Sequence, residues 1–398
     1  MMKQSTHSAI FLCLLSITLS PHAEQVPAQA PTIDPAKDAE YFEGARQTPT
    51  LFWSREQQVA GYRNMDKLGP VRLIEAGDIP SALPKQLQDL SKLQITLKGS
   101  SISLEDYLNT FSVAGLLVIQ DGKIRYERYG LGNTEQSRWV SFSVAKSVVA
   151  MLIGAAIQDG YIQSVEDKVT DYLPRLKNSP YAQVSIRNLL QMSSGVEWNE
   201  DYADKNSDVA SASWATLDLY NYLNKKKRIA KEGEKFNYNT AETNLAGTLL
   251  RSAIGNNLST YLADKVWQPF GMEADAYWQL TEPGGGEFGG CCINATLRDY
   301  GRIGLFALTN GKLADGTQVL PETWMKDSTM PSKGFDGYGY FWWLDKDTYE
   351  ASGIFGQGIY IAPDKNLVIA LHSARPEAGG ESGWAWQAAM YESINKAF

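Results

Sequence analysis

The chain has 398 residues and is 43% hydrophobic, enough for a large core and, by length, for two or three structural units. Lys and Arg number 37 against 45 Asp and Glu, a formal charge of −8, and the one tight basic cluster, KKKR at 225–228, reads as a solvated helix end; this argues against nucleic-acid binding. Histidine is too scarce, at three residues, for a His-rich metal site.

Residues 1–23 have the layout of an export signal. Lys3 gives the positive start, AIFLCLLSITLS (8–19) is an apolar run too short to span a bilayer, and cleavage can follow Ala23. Bulky Leu12 before Cys13 argues against lipidation there. The expectation is an exported protein, periplasmic or secreted, without a transmembrane anchor. Cleavage removes His7, His22 and Cys13, leaving His372, Cys291 and Cys292. Residues 24–50, rich in Ala, Pro, Gln and Thr, read as an exposed arm.

AGLLVIQDGKIRYERYG (114–130) holds two β runs around Asp121-Gly122, a hairpin signal. SVAKSVVAMLIGAAIQDG (143–160) is a helix apolar on most sides, hence buried, with Gly160 suited to its C-terminal cap. Residues 161–284 look mainly helical, with helices at 185–195 and at 240–255, each ended by a glycine. TLRDYGRIGLFALTNG (296–311) opens with Thr296 and Asp299 in capping-box spacing. Strands return at 337–345, 359–363 and 366–373, with APDKN as a turn between the last two, and a helix closes the chain at 383–397. GGCCIN around Cys291 and Cys292 reads as a tight loop with two small buried residues, the alternative being a vicinal disulfide. His372 lies in a strand, NLVIALHS, and reads as a packing or surface residue. The expected fold is α+β: one antiparallel sheet flanked by helices and built from both termini (51–165 and 285–398), with a mainly helical insertion at 166–284.

Three stretches could carry chemistry. SFSVAKS (141–147) sets Lys146 one turn after Ser143 at the helix start, where side chains three apart share a face. A serine hydroxyl needs a base to become a nucleophile, and a lysine can serve if burial lowers its pKa. The helix start also offers the Ser143 N–H to a developing oxyanion. Spacing alone does not separate this from chance. NYNT (237–240) puts Tyr238 at a corner before a helix, where a phenol beside a lysine ammonium favours its phenolate form and can relay a proton; Thr240 adds a hydroxyl to the same wall. EASGIFGQGIYIAP (350–363) has small residues at 351–353, then Gly356 and Gly358, a strand bare enough for a ligand backbone or an ordinary glycine-containing hairpin. No G-x-S-x-G elbow is present, and a Ser-His-Asp triad would rest on His372 alone.

Taken in order, Ser-x-x-Lys, Tyr-x-Thr and the small-residue strand resemble the serine β-lactamase and penicillin-binding-protein superfamily, within it the class C β-lactamase-related hydrolases of the 6-aminohexanoate-dimer hydrolase-like and esterase-like group. LLQMSSGVEWNEDY (189–202), YNTAETNLAG (238–247) and GGCCINATLRDYGRIG (289–304) carry the resemblance further, over roughly 110–375. It implies a β-lactamase-like fold and an acyl-enzyme mechanism without metal or cofactor. It makes Ser143 the nucleophile, Lys146 the base and Tyr238 the proton shuttle, with an oxyanion hole from the N–H groups of Ser143 and Ile354. Tyr202 matches a tyrosine that holds an amide substrate, and Trp198, Thr240, Ser352, Gly353 and Trp343 are further candidates for the substrate wall.

Two departures matter. Ala351-Ser352-Gly353 stands where β-lactamases have Lys-Thr-Gly, removing the cation that holds a β-lactam carboxylate, and Asn239-Thr240 replaces the Ala-Asn of class C enzymes. The expectation is an exported serine hydrolase of a small ester or amide. The alternatives are a DD-peptidase or weak β-lactamase, and a non-catalytic ligand-binding member of the fold. Oligomeric state stays open.

Overall fold

The computed structural model describes residues 30, 31 and 33–398; the export signal at 1–23 lies outside the described residues. Strands Val113–Gln120 (β1) and Lys123–Tyr129 (β2) pair across Asp121 and Gly122, whose φ angles of 50° and 71° suit the tight hairpin turn expected there. Four later strands, Trp343–Asp345 (β3), Thr348–Ser352 (β4), Gly358–Ala362 (β5) and Leu367–Ser373 (β6), complete one antiparallel sheet in the order β2-β1-β6-β5-β4-β3. The β1–β6 pairing therefore joins the early and late parts of the chain. Alternation along β6 sends Val368 and Ala370 into one core and Leu367, Ile369 and Leu371 into another, so the sheet is a wall with both faces covered.

Four helices matter for the site. Val144–Gln158 (α1) buries every residue from Val144 to Ala156. Thr240–Ile254 (α2) is capped by the Asn239 side chain and closed by Gly255 at φ 64°. Leu297–Leu308 (α3) is capped by Thr296, whose hydroxyl accepts from the Asp299 N–H and donates to the Asp299 carboxylate, which is one half of the capping box that the spacing suggested, and the helix packs on β6 and β1. Glu381–Ala397 (α4) supplies Trp386, Met390, Tyr391 and Ile394 to the core on the opposite face. Between 166 and 284 lie α2 and the shorter helices Ile186–Leu190, Asp208–Ser211, Thr216–Leu223 and Leu258–Leu262.

A second sheet was not anticipated. Val71–Ile74, Ala276–Gln279, Ile293–Thr296 and Arg138–Val140 form four antiparallel strands in that order. It brings the loop before Ile293 beside Ser141, at the entry to α1: the amides of Cys292 and Ile293 both donate to Ser141 Oγ.

Four expectations are corrected. The described part of the arm is folded: Ile33, Phe42 and Ala45 are buried, and buried Asp38 takes a 2.6 Å ion pair from Arg63. A few apolar anchors and one paired carboxylate outweigh the loop-like composition. The strand expected at 337–345 is regular only over Trp343–Asp345. Gly358 does not bare the strand to a ligand, because a Cβ there would sit 2.1 Å from Tyr391 Oη; the space belongs to α4. Cys291 and Cys292 form a vicinal disulfide.

Among the described residues no helix is long and apolar enough to cross a membrane. His372 is a packing residue: buried between Trp139 and Tyr300, it has its pKa lowered to about 3 by burial and so stays neutral.

Candidate active site

Ser143 sits at the N-cap of α1, on a turn made by a short strand running into a buried helix. Phe142 before it has φ 43°, a left-handed conformation that costs a bulky residue about 1–2 kcal/mol. Aromatic packing holds it there, with ring centroids 5.1 Å from Tyr62 and 4.9 Å from Phe355. Ser143 is recessed, with 8% of its surface exposed.

Lys146 is 1% exposed. Its Nζ donates to Ser143 Oγ at 3.1 Å, to Thr240 Oγ1 at 3.1 Å and to the Gly290 carbonyl at 2.8 Å. Three acceptors match the three protons of an ammonium. Burial pulls its pKa down from 10.5 to about 8, against an opposing pull from Glu200. Near neutral pH a useful fraction of the amine is therefore unprotonated.

Tyr238, half-buried ahead of α2, lies close enough to Ser143 for the serine hydroxyl to lower the pKa of its phenol. Its ring centre lies 5.4 Å from Lys146 Nζ and stacks on Trp343 at 5.5 Å. Its titration runs against the expected phenolate: burial raises the pKa well above 10, the nearby Ser143 hydroxyl opposes this, and Glu200 raises it further. Tyr238 is thus a neutral phenol with a proton to give.

Thr240, the first residue of α2, accepts from Lys146 and donates its hydroxyl proton to Glu200 Oε1. Reading the sequence alone missed Glu200. Its Oε1 also accepts from Tyr202 Oη at 2.8 Å, and its Oε2 accepts from the Thr240 N–H at 3.0 Å and from the Trp198 indole N–H. The available signal was WNEDY, a carboxylate between two aromatic donors that had each been singled out. Trp198 is accordingly a support for Glu200 and not an open substrate wall: it is 7% exposed and packs on Trp214 and Tyr222. Tyr202 remains half-buried at the site, its ring against Gly379.

On the β4 side, Ile354 follows Gly353 just past the strand end. Neither its backbone N–H nor that of Ser143 has a hydrogen-bond partner among the described residues. Gly353 has to be glycine, because a Cβ would stand 2.7 Å from the Ser141 carbonyl; this close approach is what brings the β4 end against the start of α1. The expected contact of Ser352 with substrate is corrected: its hydroxyl is sealed from solvent and unpartnered among the described residues. Tyr349 and Ala351 on β4 join the core beneath α1, so Ser352 follows the alternation to the other side.

The 6-aminohexanoate-dimer hydrolase of Paenarthrobacter ureafaciens is 26% identical over 320 residues, covering 74% of this chain and 81% of that protein. A solved structure from Bacillus anthracis, provisionally assigned as a 6-aminohexanoate-dimer hydrolase, superposes with a TM-score of 0.80 at 23% identity, over 89% of this chain and 97% of the other. A penicillin-binding protein from Bacillus halodurans does so with a TM-score of 0.58 at 17% identity, over 71% and 96%. Residues 103–390 match the Beta-lactamase family, a stretch that takes in Ser143, Lys146, Tyr238 and Ile354, and the chain belongs to that family of serine hydrolases.

Proposed function

We propose that the chain hydrolyses a small ester or linear amide through an acyl-enzyme on Ser143. The observation that carries this reading is the desolvated Lys146 amine 3.1 Å from Ser143 Oγ, with its pKa lowered to about 8. Ser143 Oγ attacks the substrate carbonyl carbon while its proton passes to Lys146 Nζ. The carbonyl oxygen becomes an oxyanion facing the Ser143 and Ile354 N–H groups. As the C–N or C–O bond breaks, Tyr238 gives its proton to the leaving atom and takes one from Lys146. Water then attacks the acyl carbon, its proton returning along the same groups, and Ser143 is released with its own proton.

Substrate class follows from what the site lacks and what its relative does. Ala351 stands where a β-lactam-binding lysine would be, which favours an acyclic substrate. The Paenarthrobacter relative is by name a hydrolase of the 6-aminohexanoate dimer, which supports the amide branch, since two amino acids condense through an amide. Export is proposed from residues 1–23, and the disulfide is in keeping with an oxidising compartment. An N-terminus after Ala23 on protein recovered outside the cytoplasm tests that reading.

The central experiment runs p-nitrophenyl esters, short linear amides and nitrocefin on wild type and Ser143→Ala. Turnover of an ester or amide by wild type should fall about 10³-fold or more in the variant, and mass spectrometry should find the acyl group on the Ser143 peptide. Nitrocefin as the fastest substrate would favour a β-lactamase or peptidase instead. Ligand binding without turnover would favour a non-catalytic member.

A further inference from the structure

We propose that Glu200 is a positioning residue for this site: through the Thr240 hydroxyl its carboxylate fixes the direction of the hydrogen bonds that turn Lys146 toward Ser143. The inference rests on the Ser143–Lys146 reading above and adds a residue to it.

A carboxylate has about four acceptor sites. Those of Glu200 meet four donors: the Thr240 hydroxyl and Tyr202 phenol on Oε1, and the Thr240 N–H and Trp198 indole on Oε2. Glu200 is therefore saturated. It is not a free anchor for a substrate amine.

Thr240 has one hydroxyl proton, and Glu200 takes it, so toward Lys146 the Thr240 oxygen can only accept. The Gly290 carbonyl also can only accept. When Lys146 loses its third proton, its two remaining N–H bonds suit Thr240 and Gly290, and the new lone pair has one partner able to donate, the Ser143 hydroxyl. Glu200 thus aligns the base with the nucleophile without touching either.

Its charge has a second consequence. The titratable groups that feel the Glu200 charge are Lys146 on α1, Tyr238 ahead of α2, Glu242 on α2, Tyr202 two residues along the same loop, and Tyr338 before β3. Glu200 opposes deprotonation of both Lys146 and Tyr238, so its removal lowers both pKa values. Burial raises the Glu242 pKa to about 8, and Glu200 adds to this, so Glu242 is the competing source of a titration near that pH.

The test is the pH dependence of kcat/KM on the best ester, with the pH dependence of Ser143 labelling by a fluorophosphonate as a second readout. Glu200→Gln should move the acid limb to lower pH in both. It should also lower the maximal rate, because the carboxamide can donate to Thr240 and release the Thr240 proton onto Lys146. Glu200→Asp keeps the charge and should leave the limb in place at reduced rate. An acid limb unmoved in Glu200→Gln overturns the proposal, as does a limb that moves as far in Glu200→Asp; should the Gln variant not fold, any shift of the limb to lower pH in Glu200→Asp overturns it. Loss of the limb in Glu242→Gln assigns it to Glu242 and also overturns it. Ser143→Ala distinguishes the two layers: if it stays active, the hydrolase reading fails, whereas an inactive Ser143→Ala with an unmoved Glu200→Gln limb removes only the Glu200 role.

Discussion

Lys146 can act as a base only in its neutral form, and burial makes that form accessible by lowering the pKa to about 8. Below that pH most of the amine is charged, so kcat/KM of wild type should rise about tenfold per pH unit and level off above the pKa. Lys146→Arg keeps the positive charge but stays protonated at every usable pH. It should lose about 10²–10⁴ in kcat with KM little changed, measured by steady-state kinetics on an ester; a variant within a few-fold of wild type would remove Lys146 from the base role. Ser143 and Lys146 were legible because three residues on one helix turn fix their proximity, and Tyr238 because its motif follows in order. Glu200 was not, since its place depends on Trp198, Tyr202 and Thr240 meeting across 40 residues of chain. The protonation of Tyr238 was read in the wrong direction because a sequence shows a neighbouring charge but not the dehydration of the pocket.

At the scale of elements, the loop between Phe288 and Ile293 matters more than its small residues suggested. It presents the Gly290 carbonyl to Lys146 and continues directly into the Cys291–Cys292 disulfide. It is also held elsewhere: the Trp278 indole donates to the Phe288 and Cys291 carbonyls, and the Cys292 amide donates to Ser141 Oγ. Opening the disulfide should therefore leave the thermal midpoint nearly unchanged while loosening one of the three acceptors of Lys146. Paired Cys291→Ser and Cys292→Ser substitutions, or reduction confirmed by thiol titration, should lower kcat by up to about 10²-fold, the effect of a displacement near 1 Å at a reacting group. Unchanged kcat with both thiols free would show that the neighbouring bonds position Gly290 unaided. The loop was hard to read because its anchors sit on the second sheet, whose strands are only three or four residues long and whose two outer strands pair across more than 150 residues of chain. The main sheet was legible where turn signals and long apolar runs coincide, at β1–β2 and β5–β6.

For the whole molecule, two large cores share the main sheet as a wall, and the polar groups buried within them link folding to pH. Glu242 on α2 is 1% exposed; it accepts from the Ser194 hydroxyl and, at 3.3 Å, from Tyr181 and Asn239, while its Oε2 has no partner among the described residues. Burial raises its pKa from 4.5 to about 8. The folded chain therefore holds a proton that the unfolded chain releases once pH exceeds about 4.5, and stability falls as pH rises from there to about 8. Lys146 has the opposite sign in a higher window: with its folded pKa at about 8 and its unfolded value at 10.5, stability rises as pH goes from 8 to 10.5. Glu242→Gln keeps an acceptor for Ser194 and removes the ionisable group. Its stability relative to wild type should be flat below pH 4.5 and grow toward pH 8, reaching on the order of 2–4 kcal/mol at about 1.4 kcal/mol per pH unit. Chemical denaturation of both proteins at pH 5 and pH 8 measures that difference. An equal difference at the two pH values would mean that Glu242 is ionised in the folded protein and that the hydroxyls around it repay its burial.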